Sequence, residues 1–534
     1  MKRDIDKLKN TEFDLLIIGG GIHGATLAYE ASIKGLKVCL IEKDDFGSQT
    51  SANSLKVLHG GLRYLQHANF KRMRESIHSR KVFQQIAPHL VKNIPFVIPT
   101  SGFTIKSKFA LRIAMFLNDL ISWDRNKKIN KDCFVPGGKT ISPIEFSNIS
   151  SIKNDDKITG GALWYESVAL NTERLLFEFL HRSYEYKAVL FNYLEAIKYN
   201  FDGNKITSVS VKDSLNNENF QIKAKFVVNT VGPWLNEILK GTQDFKLLKT
   251  PLTKAVNIIV KGNLFGKYAI GLESIKEFKD KSAIINKGKR LFFFVPLENH
   301  TMIGTTYKVY KEHPDECNVT KEDINEILTE INQANKNLNL KFEDVTQTHV
   351  GVQAMPDVEF KNEFDVQPET HSLVFNHNEK GKINNLISVK SVKYTTAPSI
   401  AKQVIENLPY DLNISPLFIK SEKEEIKIYN KIKSDFFQKF KTYDSKFLNR
   451  IWKTYGTRSE KVIARTEFNE ESRQIIFDKD EIYLGEIFYQ IENELAITSY
   501  DILDRRIGLS ALEKLSEDYY VKVDEIIKAK KEKD

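Results

Sequence analysis

The pattern of apolar and polar residues near the start of the chain predicts a strand, a helix and a second strand. The short apolar run at residues 13–18 is typical of a strand buried in a parallel sheet. Residues 25–34 have the alanine-rich composition of a helix, and Gly35 interrupts it. Residues 37–41 then predict a second strand, which ends at Glu42. This order is that of a βαβ nucleotide-binding unit.

The segment between the first strand and the helix, GGGIHG, matches the pattern G-x-G-x-x-G. Gly19 permits a tight turn, Gly21 lets the backbone approach a pyrophosphate, and Gly24 lets the helix pack against the strand. Glu42, about 20 residues further on, can accept hydrogen bonds from a ribose diol. His23 lies inside this loop and is expected to be exposed. The segment predicts a dinucleotide site, and by itself it does not separate FAD from NAD.

A second periodic signal occupies residues 103–123. Its apolar side chains recur at helical spacing, at Phe109, Ile113, Phe116, Leu117 and Leu120, and three basic side chains lie near its start, at Lys106, Lys108 and Arg112. A basic amphipathic helix can lie on an anionic membrane surface, or it can pack against the core of its own protein. The pattern leaves both interpretations open.

Composition limits the class of protein. The 534 residues carry a formal net charge of +9, and no run of 18 apolar residues predicts a membrane-spanning helix. The polar start lacks the apolar segment of a signal peptide, so we expect a cytoplasmic protein. The spacing of Cys39, Cys133 and Cys317 fits neither a metal site nor a disulfide framework. The mildly basic charge favours an anionic substrate or membrane surface over nucleic acid.

Further motifs follow Glu42 in a fixed order along the chain. Residues 54–65 read SLKVLHGGLRYL, residues 226–234 read FVVNTVGPW, residues 289–296 read KRLFFFVP and lead into IGTT, and residues 393–396 read KYTT. Together with ELA at 494–496 and DILDRR at 501–506, they resemble the FAD-dependent glycerol-3-phosphate dehydrogenases over about the whole chain.

The resemblance implies an α/β fold, in which a Rossmann-like FAD-binding domain carries an antiparallel-sheet substrate cap. This is the architecture of glutathione reductase and D-amino-acid oxidase, and a helical C-terminal domain follows it. The FAD-dependent oxidoreductase region should span residues 11–405. Its FAD domain should be discontinuous, at about 11–100, 155–250 and 375–405, with the cap interleaved. The helical domain should span 417–534, with helices over 422–440, 486–498 and 511–528.

The same resemblance assigns roles to residues. Arg63 and Lys393 are the expected catalytic cations beside the flavin, where positive charge stabilises the reduced cofactor and a substrate oxygen. Tyr64, Lys254 and Arg290 are expected to bind the substrate. The expected cofactor-binding residues are Gly19, Gly21, Gly24, Glu42, Ser54, His59, Gly60, Gly232, Thr395 and Thr396. No metal is expected.

Several positions depart from the family pattern on the substrate side. Gln353 replaces an arginine, Asn257 replaces a histidine, and Glu369 falls near the position of a second arginine. Neither glutamine nor glutamate offers the planar bidentate fork that arginine presents to phosphate. Asparagine, unlike histidine, does not titrate near neutral pH. The resemblance thus preserves the FAD framework and changes the substrate pocket.

The function implied is oxidation of sn-glycerol 3-phosphate to dihydroxyacetone phosphate, by hydride transfer to FAD, with the electrons passed to a membrane quinone. Such an enzyme would be peripheral on the inner face of the cell membrane, and a homodimer is a candidate assembly. The changed pocket keeps an alternative open, a diverged dehydrogenase or oxidase of the same fold that acts on another hydroxy or amino substrate. A catalytically silent flavoprotein is a third hypothesis, against which the intact Arg63 and Lys393 argue.

Overall fold

A computed structural model describes residues 1–65, 69–102, 106–152, 157–277, 289–356, 366, 369, 371–409, 412, 417 and 421–533; for 63, 65, 275–277 and 289 it describes the backbone alone. The strands in chain order are β1 Glu12–Ile18, β2 Val38–Ile41, β3 Val57–Leu58, β4 Val91–Ser101, β5 Lys139–Ile141, β6 Ile158–Ala169, β7 Val189–Phe191, β8 Leu194–Asp202, β9 Lys205–Asp213, β10 Glu218–Asn229, β11 Leu252–Lys261, β12 Ala269–Glu277, β13 Lys289–Leu297, β14 His300–Tyr310, β15 Val345–Ala354, β16 Leu373–Asn376, β17 Leu386–Lys390, β18 Ile475–Phe477 and β19 Ile482–Tyr483.

The helices in chain order are α1 Ile5–Lys9, α2 Ile22–Ile33, α3 Leu62–Leu65, α4 Phe70–Ile86, α5 Lys108–Ile121, α6 Pro143–Ser150, α7 Thr172–Glu185, α8 Leu235–Leu239, α9 Lys321–Ala334, α10 His377–Lys380, α11 Ala397–Glu406, α12 Glu422–Lys439, α13 Ser445–Tyr455, α14 Ser459–Thr466, α15 Leu484–Asn493 and α16 Glu517–Lys533. A π-helix spans Asp501–Ile507. Within the described ranges, no helix combines the length and the apolar composition needed to cross a membrane.

The first sheet has the strand order β16-β17-β10-β1-β2-β7 and continues from β10 into the β8–β9 hairpin. The pairs from β17 through β7 are parallel, and the outer strand β16 is antiparallel. The predicted strands at 13–18 and 37–41 are confirmed as β1 and β2, and α2 begins three residues earlier than predicted because Gly21 is its N-cap. Apolar side chains are buried on both faces of the sheet, as a doubly covered parallel sheet requires.

The second sheet caps the first and has the order β15-β11-β14-β13-β12-β4-β6-β3, with β5 beside β6. Its pairs are antiparallel except β12–β4, which confirms the predicted antiparallel cap. β4 and β6 belong to this cap sheet although they lie largely within segments assigned to the FAD domain from the sequence. The segment boundaries 11–100, 155–250 and 375–405 therefore stay a prediction.

The C-terminal region is helical, as predicted. The predicted helices at 422–440 and 486–498 correspond to α12 and α15, and the helix expected at 511–528 begins later, as α16. Two further helices, α13 and α14, and the small β18–β19 hairpin were not predicted. α12 to α15 enclose an aromatic core around Trp452 and Tyr455, and a second apolar cluster lies under α16. The α/β architecture with a capping sheet and a helical C-terminal domain is confirmed.

Candidate active site

A cavity of about 1120 Å³ is lined by residues of both large sheets and collects most of the predicted site residues. The predicted residues on its wall are Gly19, Gly21, Glu42, Ser54, His59, Tyr64, Gly232, Arg290, Lys393, Thr395 and Thr396. Gly24, Gly60 and Lys254 lie off this wall. The Arg63 side chain lies outside the described part of the chain, and its backbone belongs to α3.

The turn after β1 places the predicted glycines at the start of α2. Gly19 has a φ angle of 103°, a backbone conformation that residues with a Cβ rarely adopt. A Cβ on Gly24 would lie 1.9 Å from the Gly19 carbonyl oxygen, so only glycine lets α2 pack this closely. Gly24 therefore contributes through packing, while Gly21, the N-cap of α2, borders the cavity. The helix N-terminus beside it suits a phosphate group.

Glu42 follows β2 on the cavity wall, as the motif predicts. Its carboxylate accepts hydrogen bonds from the backbone N–H of Gly20, at 2.6 Å, and of Asp44, at 3.0 Å. Burial raises the pKa of Glu42 to about 7, and these two hydrogen bonds oppose the rise. The carboxyl group is thus fixed on the cavity wall, where the motif predicts a contact with the ribose of a dinucleotide.

Some buried polar groups on the cavity wall have no hydrogen-bond partner among the described residues. They include the Ser48 hydroxyl, in the loop after Glu42, and the Trp234 indole N–H, in the turn that begins at Gly232. Buried polar groups in native proteins are normally satisfied, so these two indicate a ligand that occupies this part of the cavity. Together with the glycine turn and Glu42, they fit an adenine dinucleotide.

The loop at residues 57–61 runs along the cavity and is held from both sides. The His59 backbone N–H donates to Thr395 Oγ1 at 3.3 Å, and the Gly60 N–H donates to the Glu166 carboxylate. Glu166 also accepts from the Trp164 indole, at 3.2 Å, and burial raises its pKa while Arg80 opposes the rise. Glu166 is a cavity residue that the sequence analysis missed, because no motif marks it.

Lys393 and Tyr64 are in contact on the cavity wall. Lys393 Nζ donates to the Tyr64 hydroxyl oxygen at 2.6 Å, although 329 residues separate them along the chain. Lys393 O in turn accepts from the Thr396 hydroxyl at 3.0 Å, which ties the lysine to the start of α11. His23 lines the same cavity and is 8% exposed, so the expectation that it is exposed was wrong. Burial lowers the pKa of His23 to about 4, which keeps the ring neutral.

Of the two other basic residues predicted to bind the substrate, Arg290 lines the cavity and Lys254 does not. Arg290 Nη1 lies 3.7 Å from the Glu330 carboxylate. Lys254 lies on β11, where Ala255 and Asn257 face the cavity. Because side chains alternate along a strand, Lys254 points to the opposite face, and its Nζ pairs with Asp323 at 2.5 Å. The assignment of Lys254 to the substrate is corrected accordingly.

The departures from the family pattern do cluster on the cavity wall. Asn257 is 1% exposed and accepts a hydrogen bond from the Thr305 hydroxyl at 2.7 Å. Gln353 and Glu369 both line the cavity, and the Glu369 N–H donates to the carbonyl of Ala354, next to Gln353. Glu369, which falls near the position of the family's second arginine, thus lies close to Gln353 in the fold.

Cations near Glu369 compensate part of its charge. Lys390 Nζ lies 3.6 Å from Glu369 Oε2, and Arg72 lines the cavity close to Tyr64. Burial lowers the pKa of Arg72, and the neighbouring Tyr64, Glu75 and Glu369 oppose the shift. Arg72, on the first turn of α4, is a second cavity residue that the sequence analysis missed. The pocket thus offers an anionic substrate positive charge that the family motifs do not include.

Part of the cavity wall is apolar. The inner face of α5 contributes Ala110, Leu111, Ala114 and Met115 to it, and Leu111 and Met115 pack with Ala162 of β6 and Ile98 of β4. The dinucleotide turn, Lys393 and Tyr64, and the inner face of α5 therefore line one cavity.

Comparisons with known proteins identify the family of the chain. Residues 14–404 match the family described as FAD dependent oxidoreductase, and residues 423–534 match the C-terminal domain of alpha-glycerophosphate oxidase. The glycerol-3-phosphate dehydrogenase of Synechocystis sp. is 26% identical over 523 residues, which are 95% of this chain and 91% of that protein. The aerobic glycerol-3-phosphate dehydrogenase of Staphylococcus aureus is 27% identical over 519 residues, which are 94% of this chain and 87% of that protein.

Solved structures show the same fold. The glycerol-3-phosphate dehydrogenase of Bacillus halodurans, complexed with FAD, has a TM-score of 0.72 at 21% identity and covers 98% of this chain and 90% of its own. The L-alpha-glycerophosphate oxidase of Mycoplasma pneumoniae, with FAD bound, has a TM-score of 0.52 at 17% identity, over 74% of this chain and 94% of its own. The chain therefore belongs to the FAD-dependent oxidoreductases, and FAD is its cofactor.

Proposed function

We propose that this enzyme oxidises sn-glycerol 3-phosphate to dihydroxyacetone phosphate and passes the electrons to a membrane quinone. The names of the relatives that align with nearly the whole chain support the general reaction. The observation that carries the proposal is the contact of Lys393 with Tyr64, at 2.6 Å, on the wall of the cavity that also holds the dinucleotide turn. It places a cation and a hydroxyl side by side where a substrate oxygen could bind both.

In this proposal, different residues of the pocket bind the reacting oxygen and the phosphate of the substrate. When bound, FAD would supply the acceptor for the hydride that leaves C2. Lys393 and Tyr64 would hold the C2 oxygen, where the ammonium group would stabilise the negative charge that develops as the hydroxyl proton passes to water, before the hydride leaves C2. Arg290 and Arg72 supply positive charge for the phosphate, since guanidinium groups bind phosphate through charge-assisted hydrogen bonds.

A second candidate substrate class follows from Gln353 and Glu369. A carboxylate on the cavity wall repels a phosphate dianion, and glutamine offers it no charge. A neutral hydroxy substrate or an amino substrate would not suffer this repulsion. Because Lys390 and Arg72 partly neutralise Glu369, we favour glycerol 3-phosphate.

Anaerobic half-reactions test the proposal directly. Glycerol 3-phosphate should bleach the absorbance of the oxidised flavin in the purified enzyme, and a short-chain quinone should then restore it. Bleaching by another hydroxy or amino compound, and none by glycerol 3-phosphate, would select the second candidate. Reoxidation by dissolved oxygen as fast as by the quinone would contradict the quinone as acceptor.

Restoring an arginine in the pocket should strengthen substrate binding. A charge-assisted hydrogen bond contributes roughly 1.5–3 kcal/mol, which corresponds to about 10–150-fold in affinity. In Gln353→Arg, we therefore expect the KM for glycerol 3-phosphate to fall within this range of factors, as measured by steady-state kinetics with a dye acceptor. Gln353→Met is the matched control, since it keeps the length of the side chain without adding charge. If the arginine variant loses activity on the true substrate instead, the pocket is built for a ligand without phosphate.

The position of α5 supports a membrane location. The apolar side chains that the sequence analysis singled out all face solvent: Phe109 is 74%, Phe116 68% and Leu120 60% exposed, and Ile113 and Leu117 are also exposed. The helix therefore buries its opposite face, Leu111 and Met115, in the protein. A solvent-facing apolar stripe flanked by Lys108 and Arg112 suits an anionic lipid surface, on the inner face of the cell membrane.

The same helix supports the quinone as electron acceptor. Its outer face would contact lipid, while the apolar side chains of Ala110, Ala114 and Met115 on its inner face line the FAD cavity. A quinone is apolar and dissolves in the lipid, so it could reach the flavin through the space beneath α5. A polar electron acceptor would lose its hydration among these apolar side chains, which costs free energy.

Weakening the outer face of α5 should release the enzyme from anionic vesicles. We expect a variant with Phe109→Ser, Phe116→Ser, Lys108→Glu and Arg112→Glu to bind phosphatidylglycerol vesicles with at least ~10-fold lower affinity, as measured by co-sedimentation. Apolar contact area and charge both contribute to the binding of such a helix. Lys106 is left unchanged because it already pairs with Glu273 at 2.5 Å. Added salt should weaken wild-type binding, because exposed charges are screened beyond ~8 Å at physiological ionic strength.

The control for this experiment is Phe468→Ser, since Phe468 is 75% exposed and lies on the C-terminal domain. It should bind vesicles like the wild type. If the α5 variant and the wild type sediment equally with anionic and neutral vesicles, α5 is not the membrane contact.

A further inference from the structure

The FAD-binding loop after Glu42 is tied to the far end of the chain. Asp45, 1% exposed, accepts from Arg505 Nε at 2.5 Å and from Arg506 Nη2 at 2.9 Å, over a sequence separation of 460 residues or more. Asn192 donates to the same carboxylate at 2.9 Å. Burial raises the pKa of Asp45, but Arg506 and Arg505 outweigh this and hold it at about 2. The carboxylate is therefore ionised and fully paired.

Asp45 is placed to control the shape of the dinucleotide site. The next residue, Phe46, packs against Gly20, since a Cβ on that glycine would lie 2.5 Å from the ring. The Gly47 N–H donates to the Gly20 carbonyl at 3.1 Å, and Ser48, with its unpaired buried hydroxyl, lines the cavity. The loop is thus in direct contact with the glycine turn, and fixing Asp45 fixes both.

The segment that follows Arg505 and Arg506 also forms hydrogen bonds with the cap sheet. The Thr346 hydroxyl donates to the Leu512 carbonyl at 2.7 Å, and the Gln347 amide donates to the Ser510 carbonyl at 2.8 Å. The two acceptors lie shortly after the π-helix Asp501–Ile507, at Ser510 and Leu512. Further along β15, the Val352 carbonyl accepts from the Thr50 hydroxyl of the FAD-binding loop at 2.8 Å. Loop, cap strand and C-terminal segment form one connected unit.

A third attachment reaches α7 of the FAD domain. Glu494 is fully buried, and its carboxylate accepts hydrogen bonds from Arg174 Nη1 at 2.6 Å and Nη2 at 3.1 Å. Its backbone carbonyl accepts from Arg506 Nη2 at 2.8 Å. Arg506 therefore bridges Glu494 and Asp45, so the attachments at α7 and at the loop are not independent. Removing one partner from such a buried set leaves an uncompensated charge, which is strongly destabilising.

We propose that residues 494–512, here called the clasp, position the FAD-binding loop 45–54 against β15 and so govern the retention of FAD. Among the described residues, all that line the cavity precede residue 397, so the C-terminal domain acts on the cofactor indirectly, and the clasp is its contact with the FAD-binding loop. Asp45, Arg505 and Arg506 are positioning residues in this scheme. The inference depends on FAD binding and holds whatever the substrate is.

The test compares FAD dissociation from the holoenzyme of two matched variants. Asp45→Asn keeps the shape of the side chain and can still accept from Asn192, but it removes the charge between the two arginines. Glu178→Gln removes an equally buried charge that pairs the C-terminal Arg458 with α7 without contacting the loop. Flavin fluorescence, which rises on release, gives the dissociation rate after dilution, and thermal unfolding gives the stability of each variant.

We expect Asp45→Asn to release FAD at least ~10-fold faster than the wild type, since it disrupts a buried ion pair beside the cofactor loop. Glu178→Gln should lower the unfolding temperature and leave the release rate unchanged. If both variants unfold at lower temperature and neither changes the release rate, the clasp has only a structural role and the proposal is overturned.

A milder variant covers the case in which Asp45→Asn fails to fold. Arg505 is 12% exposed, and Arg505→Gln leaves Arg506 paired with Asp45. It should release FAD faster than the wild type, and Arg505→Lys, which restores the charge, should recover part of the retention. Equal release rates for wild type, Arg505→Gln and Arg505→Lys would overturn the proposal as well.

Discussion

Replacing Lys393 with methionine should lower turnover by about 10²- to 10³-fold while FAD stays bound, because the reaction loses a preorganised charge. Lys393 Nζ lies 2.6 Å from the Tyr64 hydroxyl on the cavity wall, and among the described residues it makes no ion pair that would give it a structural role. Its loss therefore affects the transition state more than the fold. The measurement is kcat with glycerol 3-phosphate and a dye acceptor, alongside the flavin content of the purified protein.

Lys402→Met is the control, because Lys402 lies on α11, nine residues further on, with its side chain 66% exposed. It should turn over like the wild type. Tyr64→Phe and the double variant complete a cycle, in which the two losses should be less than additive if the pair acts as a unit. Arg63→Ala should behave like Lys393→Met if it has the role that the family resemblance implies. Unchanged turnover in a Lys393→Met enzyme that retains its flavin would contradict our assignment.

Replacing Gly21 with valine should remove FAD from the protein. Gly21 is the N-cap of α2 and borders the cavity, and its nearest neighbour for an added Cβ is Ser51 Oγ, at 3.1 Å. The valine would therefore occupy the space into which the pyrophosphate must come. We expect the dissociation constant for FAD to rise at least ~100-fold, or about 2.8 kcal/mol, as measured by titration of the apoprotein.

The neighbouring Gly24→Ala separates this effect from damage to the fold. Its Cβ would lie 1.9 Å from the Gly19 carbonyl oxygen, a backbone atom that cannot move without shifting α2. It should lower the unfolding temperature of the apoprotein, whereas Gly21→Val should leave it close to the wild-type value. A yellow Gly21→Val protein with one FAD per chain would show that the glycine turn does not bind the pyrophosphate.

The parts of the site that the sequence predicted are local in sequence. The glycine turn, Glu42 and the loop around His59 depend on residues close together in the chain, so a short motif carries their geometry. The helical spacing of the apolar side chains at 109–120 likewise predicted a helix, which is observed as α5 at Lys108–Ile121. The spacing could not say which side of that helix faces solvent, because this depends on what α5 packs against.

The parts that the sequence did not predict depend on contacts between distant segments. Lys254 carries the right charge, but the alternation of side chains along β11 turns it toward Asp323. Glu166 and Arg72 belong to no motif, and they enter the site because β6 and α4 pass beside the loop at 57–61. Arg506 reaches Asp45 across 461 residues, a pairing that no window along the sequence contains.

The strand order of the first sheet has a consequence for synthesis of the protein. β1 lies between β2 and β10, and β10 begins 200 residues after β1 ends, at Glu218 against Ile18. At about 5–20 residues per second, a ribosome needs roughly 10–40 s to supply that partner. During this interval one edge of β1 is unpaired, and a nascent chain must be protected from pairing with other strands. β17, which pairs with β10, begins only at Leu386, so the sheet is completed late in translation.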